Sequence, residues 1–142
     1  MNKNGPIVVI EDDADDREIL DEIFSDLDYK NPVIYFSDSE AALTYLVETK
    51  VKPFVILSDI NMPRLSGLEL RQMIHTNEDL NLKCIPYLFF TTTFNQKAVV
   101  DAYSQSVQGF FVKPASVEKL KTTIKKIIEY WHECEAPNFV PE

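Results

Sequence analysis

Cysteine is scarce. The chain has two in 142 residues, Cys84 and Cys134, too few for a disulfide framework and not at the spacing of a metal motif. Cys84 abuts an apolar run and is expected to be buried, Cys134 to lie nearer the surface. The two histidines, His75 and His132, stand apart from each other and from any cysteine or acid at ligand spacing, so both read as surface residues. No apolar run approaches the length of a membrane-spanning helix, and residues 1–6 lack the apolar segment of a signal peptide. A cytoplasmic protein without membrane insertion is therefore expected. Cations are also short: 14 Lys and Arg against 23 Asp and Glu give a net charge of −9. A nucleic-acid surface needs clustered cations, so no nucleic-acid partner is expected. An acidic chain suits a metal ion or a basic patch on a partner.

The chain is not short of apolar residues, at 45%, enough for one packed domain of this length. Residues 7–10, 33–36, 54–58, 85–90 and 110–112 read as strands. Between them apolar residues recur at helical spacing. In the first helix they are Ile19, Leu20, Ile23, Phe24 and Leu27; in the last, Val117, Leu120, Ile124, Ile127, Ile128 and Trp131. Asp13 is placed to cap the first helix, and Asp15 and Asp16 sit where its dipole favours anions. Ser37, Asp38 or Ser39 caps the second, and Ser116 the last. A third helix follows Gly67 to about His75. Residues 76–83 read as a polar connection, and 95–106 as a fourth helix with Val99, Ala102 and Tyr103 inward. The expected layout is a short extension over 1–5, a domain over 6–134 and a tail over 135–142. In that tail Phe139 and Val140 either dock, on this domain or a second copy, or remain disordered.

Alternating strands and helices imply a parallel sheet with helices on both faces. Right-handed crossovers then put every strand C-terminus on one side. That side collects Glu11 and Asp12 after the first strand, Asp59 after the third, Thr91 after the fourth and Lys113 after the fifth. A single aspartate in a turn is an ordinary turn residue. Acids, a hydroxyl and a lysine arriving together from four strands are not explained by turns, and this is the side where open α/β sheets bind ligands.

These residues resemble the receiver domain of two-component response regulators. The motif is an acidic pair after the first strand, D-x-x-M-P-x-x-x-G after the third, Ser or Thr after the fourth and K-P after the fifth. Glu11-Asp12, Asp59 to Gly67, Thr91 and Lys113-Pro114 fill it in order, and the resemblance spans about 6 to 132. It implies a doubly wound, flavodoxin-like (CheY-like) α/β fold with strand order 2-1-3-4-5. The chain leaves no room for a separate DNA-binding output domain, so a stand-alone regulator is expected.

The resemblance also implies a chemistry. Crowded carboxylates resist joint ionisation unless a hard cation relieves them, and Mg²⁺ (or Mn²⁺) fits an all-oxygen site. Asp12 and Asp59 are the direct ligands, with the Asn61 backbone carbonyl, and Glu11 acts through a water. Asp59 is the nucleophile and phosphoacceptor, and the donor is a phosphohistidine on a sensor histidine kinase or phosphotransfer protein. Lys113 neutralises phosphoryl oxygens, Thr91 donates its hydroxyl and Thr92 a backbone N–H. Asn61 and Thr93 tune a slow self-dephosphorylation. Thr91 and Phe110 form the switch, Phe110 lacking the hydroxyl of the more usual Tyr. The helix over 95–106, the fifth strand and the last helix form the partner or homodimer face, and a cis Lys113–Pro114 bond aims the ammonium inward. The protein is thus a phospho-accepting signalling protein rather than an enzyme. The competing readings are a phosphorylation-independent adaptor, whose missing Asp or Lys is not found here, and an aspartyl-phosphate phosphatase, whose second Asp is replaced by Asn61. A flavin-binding protein needs a Gly- and hydroxyl-rich loop after the first strand, where this loop is acidic.

Overall fold

A computed structural model of the chain describes residues 1–92 and 95–137. Thr93, Phe139 and Val140, and the roles expected of them, lie outside these described residues. In chain order the elements are β1 (Ile7–Ile10), α1 (Ala14–Leu27), β2 (Val33–Phe36), α2 (Ser39–Glu48), β3 (Val55–Ser58), α3 (Gly67–Thr76), α4 (Glu78–Leu82), β4 (Tyr87–Thr91), α5 (Gln96–Ser104), β5 (Gly109–Val112) and α6 (Val117–Glu133). The five strands form one parallel sheet in the order β2-β1-β3-β4-β5, as expected.

Burial follows position in the sheet. β1, β3 and β4 are buried throughout, as strands covered on both faces must be, while the edge strands β2 and β5 are partly open. Alternate residues of the central strands feed two cores. Val9, Leu57 and Phe90 face Leu20, Phe24, Ile124 and Ile128 of α1 and α6. Ile10, Ile56, Tyr87 and Phe89 face Ala42, Leu46, Leu70, Ile74 and Ala102 of α2, α3 and α5.

Caps set the helix starts. Asp13 accepts from the amides of Asp15 and Asp16, Asp38 caps α2 and Ser116 caps α6. Ser66 and Glu69 form a reciprocal capping box that starts α3 at Gly67.

The structure corrects several expectations. Residues 76–83 are not simply a polar connection but contain α4, capped by Asn77 and anchored by the buried Leu80. β4 begins at Tyr87, after Pro86, and continues through Thr91. On α5 Ala102 is buried as expected, but Ala98 rather than Val99 packs against the core, and Tyr103 is 53% exposed. Cys84 is exposed, in a left-handed turn (φ 51°) that lifts it off the following strand. His132 is half-buried rather than a surface residue. Its ring stacks on Phe54 with centroids 4.5 Å apart, and Nε2 lies 3.2 Å from Asn31 Oδ1. Sequence spacing could not show this, because the partners come from two other segments.

Residues 1–5 pack closely. Met1 is buried in the core beside α6, Asn2 N–H donates to Pro53 O, and the Asn31 amide donates to the carbonyls of Lys3 and Gly5.

Candidate functional site

The register sets the site. Ile10 lies beside Ser58, so the residues that follow, Glu11 and Asp59, leave adjacent strands at the same level. The Glu11 amide donates to Phe36 O and the Asp59 amide to Ile10 O, each at 2.9 Å, which extends the ladder one step past the strands. Thr91 pairs with Val112, and the Lys113 amide donates to Thr91 O at 2.8 Å. Four strand ends thus converge on one mouth.

Asp59 is nearly covered, at 9% exposed, and its Oδ1 accepts from the Ile60 amide at 2.7 Å. The turn after it is tight. The Gly67 amide donates to Ile60 O, and a Cβ on Gly67 would lie 2.1 Å from Asp59 O. Only glycine allows that approach, which explains the glycine eight residues after the aspartate. Met62 is buried, whereas Asn61 is exposed beside the mouth.

Glu11 is buried at 2% exposed, with Oε2 2.5 Å from Lys113 Nζ and Oε1 accepting from the Asp13 amide. Burial pushes its carboxyl up to about 7, against the pull of Lys113 and helped by the Asp59 charge. Burial alone would lower the Lys113 pKa. Its hydrogen bond and ion pair with Glu11, its contact with Asp16 and the charge of Asp59 outweigh that and raise it. Asp12 is exposed at the rim. Oxygens of Glu11, Asp12 and Asp59 all lie within 4.8 Å of one another. An oxygen-only donor set, with one member's carboxyl pushed up by burial and a neighbouring acid, is consistent with metal binding and fits a hard divalent cation.

Thr91 is fully buried at the end of β4, and Thr92 is exposed. Thr92 lines a cleft of about 310 Å³ that also includes Ile19, Phe90, Lys113 and Pro114. Phe110 is half-buried against Phe89, with ring centroids 6.2 Å apart. No cis peptide occurs among the described residues, so the Lys113–Pro114 bond is trans, contrary to the expectation. The ammonium points inward because Glu11 and Asp16 hold it there.

One residue of the cluster escaped the sequence reading. Asp16 Oδ2 lies 3.1 Å from Lys113 Nζ. Dipole complementarity at the start of α1 already accounted for Asp16, so it was given no further role. The available signal was its place one helical turn after the Asp12–Asp13 pair, on the face toward the strand ends.

A family model described as the response regulator receiver domain matches residues 7–125. The chain belongs to that family. This receiver domain is 30% identical over 130 residues to chemotaxis protein CheY-3 of Vibrio cholerae, covering 91% of this chain and 95% of the relative. It is 28% identical to response regulator Rcp1 of Synechocystis, covering 89% and 88%. Its fold matches the crystal structure of the phosphorylated cyanobacterial phytochrome response regulator RcpA with a TM-score of 0.84, at 25% identity, covering 94% of this chain and 98% of that one. The Mn²⁺-bound form of Rcp1 matches at 0.81 and 27%, with coverage of 93% and 98%. Receiver domains of two-component signalling interact with histidine kinases or phosphotransfer proteins. Among the described residues no helix is long and apolar enough to cross a membrane.

Proposed function

We propose that this receiver accepts a phosphoryl group onto Asp59 from a phosphohistidine of a sensor histidine kinase or phosphotransfer protein. The observation that carries this reading is the convergence of Asp59, Glu11, Asp12 and Lys113 at one mouth. A carboxylate oxygen of Asp59 attacks phosphorus. The O–P bond forms as the P–N bond breaks, and the bonding pair leaves with the imidazole nitrogen. Asp12 and Asp59 would hold Mg²⁺ or Mn²⁺ directly, with the Asn61 carbonyl, and Glu11 through a water. The bound cation supplies charge neutralisation at the phosphoryl oxygens. Lys113 brings a second positive charge to the same oxygens, and Thr91 a hydroxyl. The Ile60 amide already fixes one Asp59 oxygen, which leaves the other as the nucleophile.

The protein acts as a phospho-accepting signalling component with slow self-dephosphorylation, not as a turnover enzyme. Its output is a conformational change read by protein contact, with Thr91 and Phe110 as the switch. A homodimer through α5, β5 and α6 belongs to this reading, supported by the exposed Val100, Tyr103, Val112 and Tyr130 on those elements.

The test is intact mass after incubation with a small acyl phosphate and Mg²⁺. The expected result is a gain of one phosphoryl group, absent with chelator and absent in Asp59→Asn. No gain with any donor would sink the reading.

A further inference from the structure

Beneath the Asp59 turn lies a polar chain for which the phosphoryl chemistry gives no account. Tyr87 is fully buried between the sheet and α3. Its hydroxyl donates to Gly67 O at 3.3 Å. At the head of the same turn the Ser58 hydroxyl donates to Asp59 O at 2.8 Å. Ser58 and Asp59 begin the turn and Gly67 ends it, and the Gly67 Cα sits against Asp59 O. One phenol therefore holds the closing end of the turn that carries the nucleophile.

The other side of Tyr87 is held from the junction of α5 and β5. The Arg71 guanidinium lies over its ring, 5.5 Å from the centroid. Arg71 is 5% exposed, and no ion pair with an acid accounts for its charge among the described residues. It instead donates to Gln105 O at 3.0 Å and Ser106 O at 2.8 Å. Ser106 is left-handed (φ 59°), a strained conformation for a residue with a Cβ, and it also accepts from the Gln108 amide side chain. Gln108 closes the circuit. Its side-chain oxygen accepts from the Tyr87 amide at 2.7 Å, and its own amide donates to Tyr87 O at 2.9 Å.

We infer that Tyr87 and Arg71 are positioning residues for the Asp59 turn, joining it to the Gln105–Gln108 turn through a polar relay that runs from the buried Tyr87 and Arg71 to the exposed Ser106 and Gln108. The consequence for phosphoryl transfer rests on the reading of Asp59 given above, but the relay is read from its own contacts. A buried hydroxyl that loses its partner leaves unsatisfied acceptors behind, so both turns loosen together when either link is cut.

The test uses the full chain and amide hydrogen exchange. Tyr87→Phe removes one oxygen and keeps the ring under Arg71. It is expected to speed exchange of the Ile60 and Gly67 amides on the order of tenfold, the worth of about one net hydrogen bond. Arg71→Met, altered at the far end, is expected to speed the same two amides as well as those near Ser106. In both variants the amides of β1 and α1 keep their wild-type rates. The maximal rate of phosphoryl uptake from a small acyl phosphate should fall in both while the half-saturating donor concentration stays unchanged. Should Tyr87→Phe not fold, exchange in Arg71→Met alone decides the relay. Exchange at Ile60 and Gly67 within about twofold of wild type in the folded variants, or acceleration confined to the Ser106 turn in Arg71→Met, overturns the relay. A wild-type chain that takes up no phosphoryl group overturns the phosphoacceptor reading alone, and the exchange rates still decide the relay.

Discussion

Glu11 faces two conflicting demands: it is buried like a core residue, yet it must be charged to hold Lys113 or a cation. Its carboxyl titrates at about 7 in the fold against 4.5 in an unfolded chain. The stability it contributes is therefore present below pH 4.5 and lost as pH rises through about 7. In metal-free buffer, the wild type is expected to lose more stability than Glu11→Gln between about pH 5 and about pH 8, measured by urea midpoints. Mg²⁺ should recover that loss at the alkaline end, where the Glu11 carboxyl is deprotonated. Gly67 faces a steric demand instead. Gly67→Ala drives a methyl group into Asp59 O, a backbone atom that cannot step aside, and should cost roughly 1–3 kcal/mol in thermal or urea unfolding. Phosphoryl uptake should fall with it. At this scale the sequence was legible where one residue type had one explanation. Asp59, Lys113 and Gly67 were found because turn chemistry alone does not need all three. Asp16 and Tyr87 were not, because helix capping and core packing already explained them.

Among the elements, the strands were readable because apolar runs of four or five residues, ended by polar ones, have few other uses in a chain this size. The one helix that went unread is α4. Five residues cannot display a helical period, and its signals reduce to Asn77 ahead of it and Leu80 within it. Asn77 serves as C-cap of α3 and N-cap of α4 together, accepting from the Leu80 amide at 3.0 Å. Asn77→Ala is expected to cost about 1 kcal/mol in urea denaturation, a typical N-cap loss. A cost no larger than that of an exposed loop substitution would argue that α4 adds nothing to the fold. The inward face of α5 was misread for a related reason. With few large apolar residues, its period was carried by alanines: Ala102 is buried as expected, but Ala98 packs inward where Val99 and Tyr103 were expected to.

For the whole molecule, the polar mouth and the exposed apolar residues of α5 and β5 are separate surfaces joined by the sheet. If phosphorylation is read out by self-association, the change is expected at Val100, Tyr103 and Val112 rather than at the mouth. Sedimentation velocity should show a dimer in the phosphorylated wild type and a monomer in phosphorylated Tyr103→Glu, with equal phosphoryl uptake in both. Dimerisation that survives this charge would move the interface elsewhere. The parallel sheet and its strand C-termini were predictable before any contact was known, because alternating strands and helices imply parallel strands, which all end on one side.

The packing of His132 on Phe54 and Asn31, and of Asn31 on Lys3 and Gly5, fastens the end of α6 to the lead-in of β1. Phe54 and Asn31 precede β3 and β2, so this fastening lies where the strands begin, while Asp59 lies where they finish. A reporter or tether joined to the end of α6 therefore emerges across the thickness of the domain from the acidic mouth. On the function proposed above, a partner delivering a phosphoryl group would approach a face that such an attachment leaves clear.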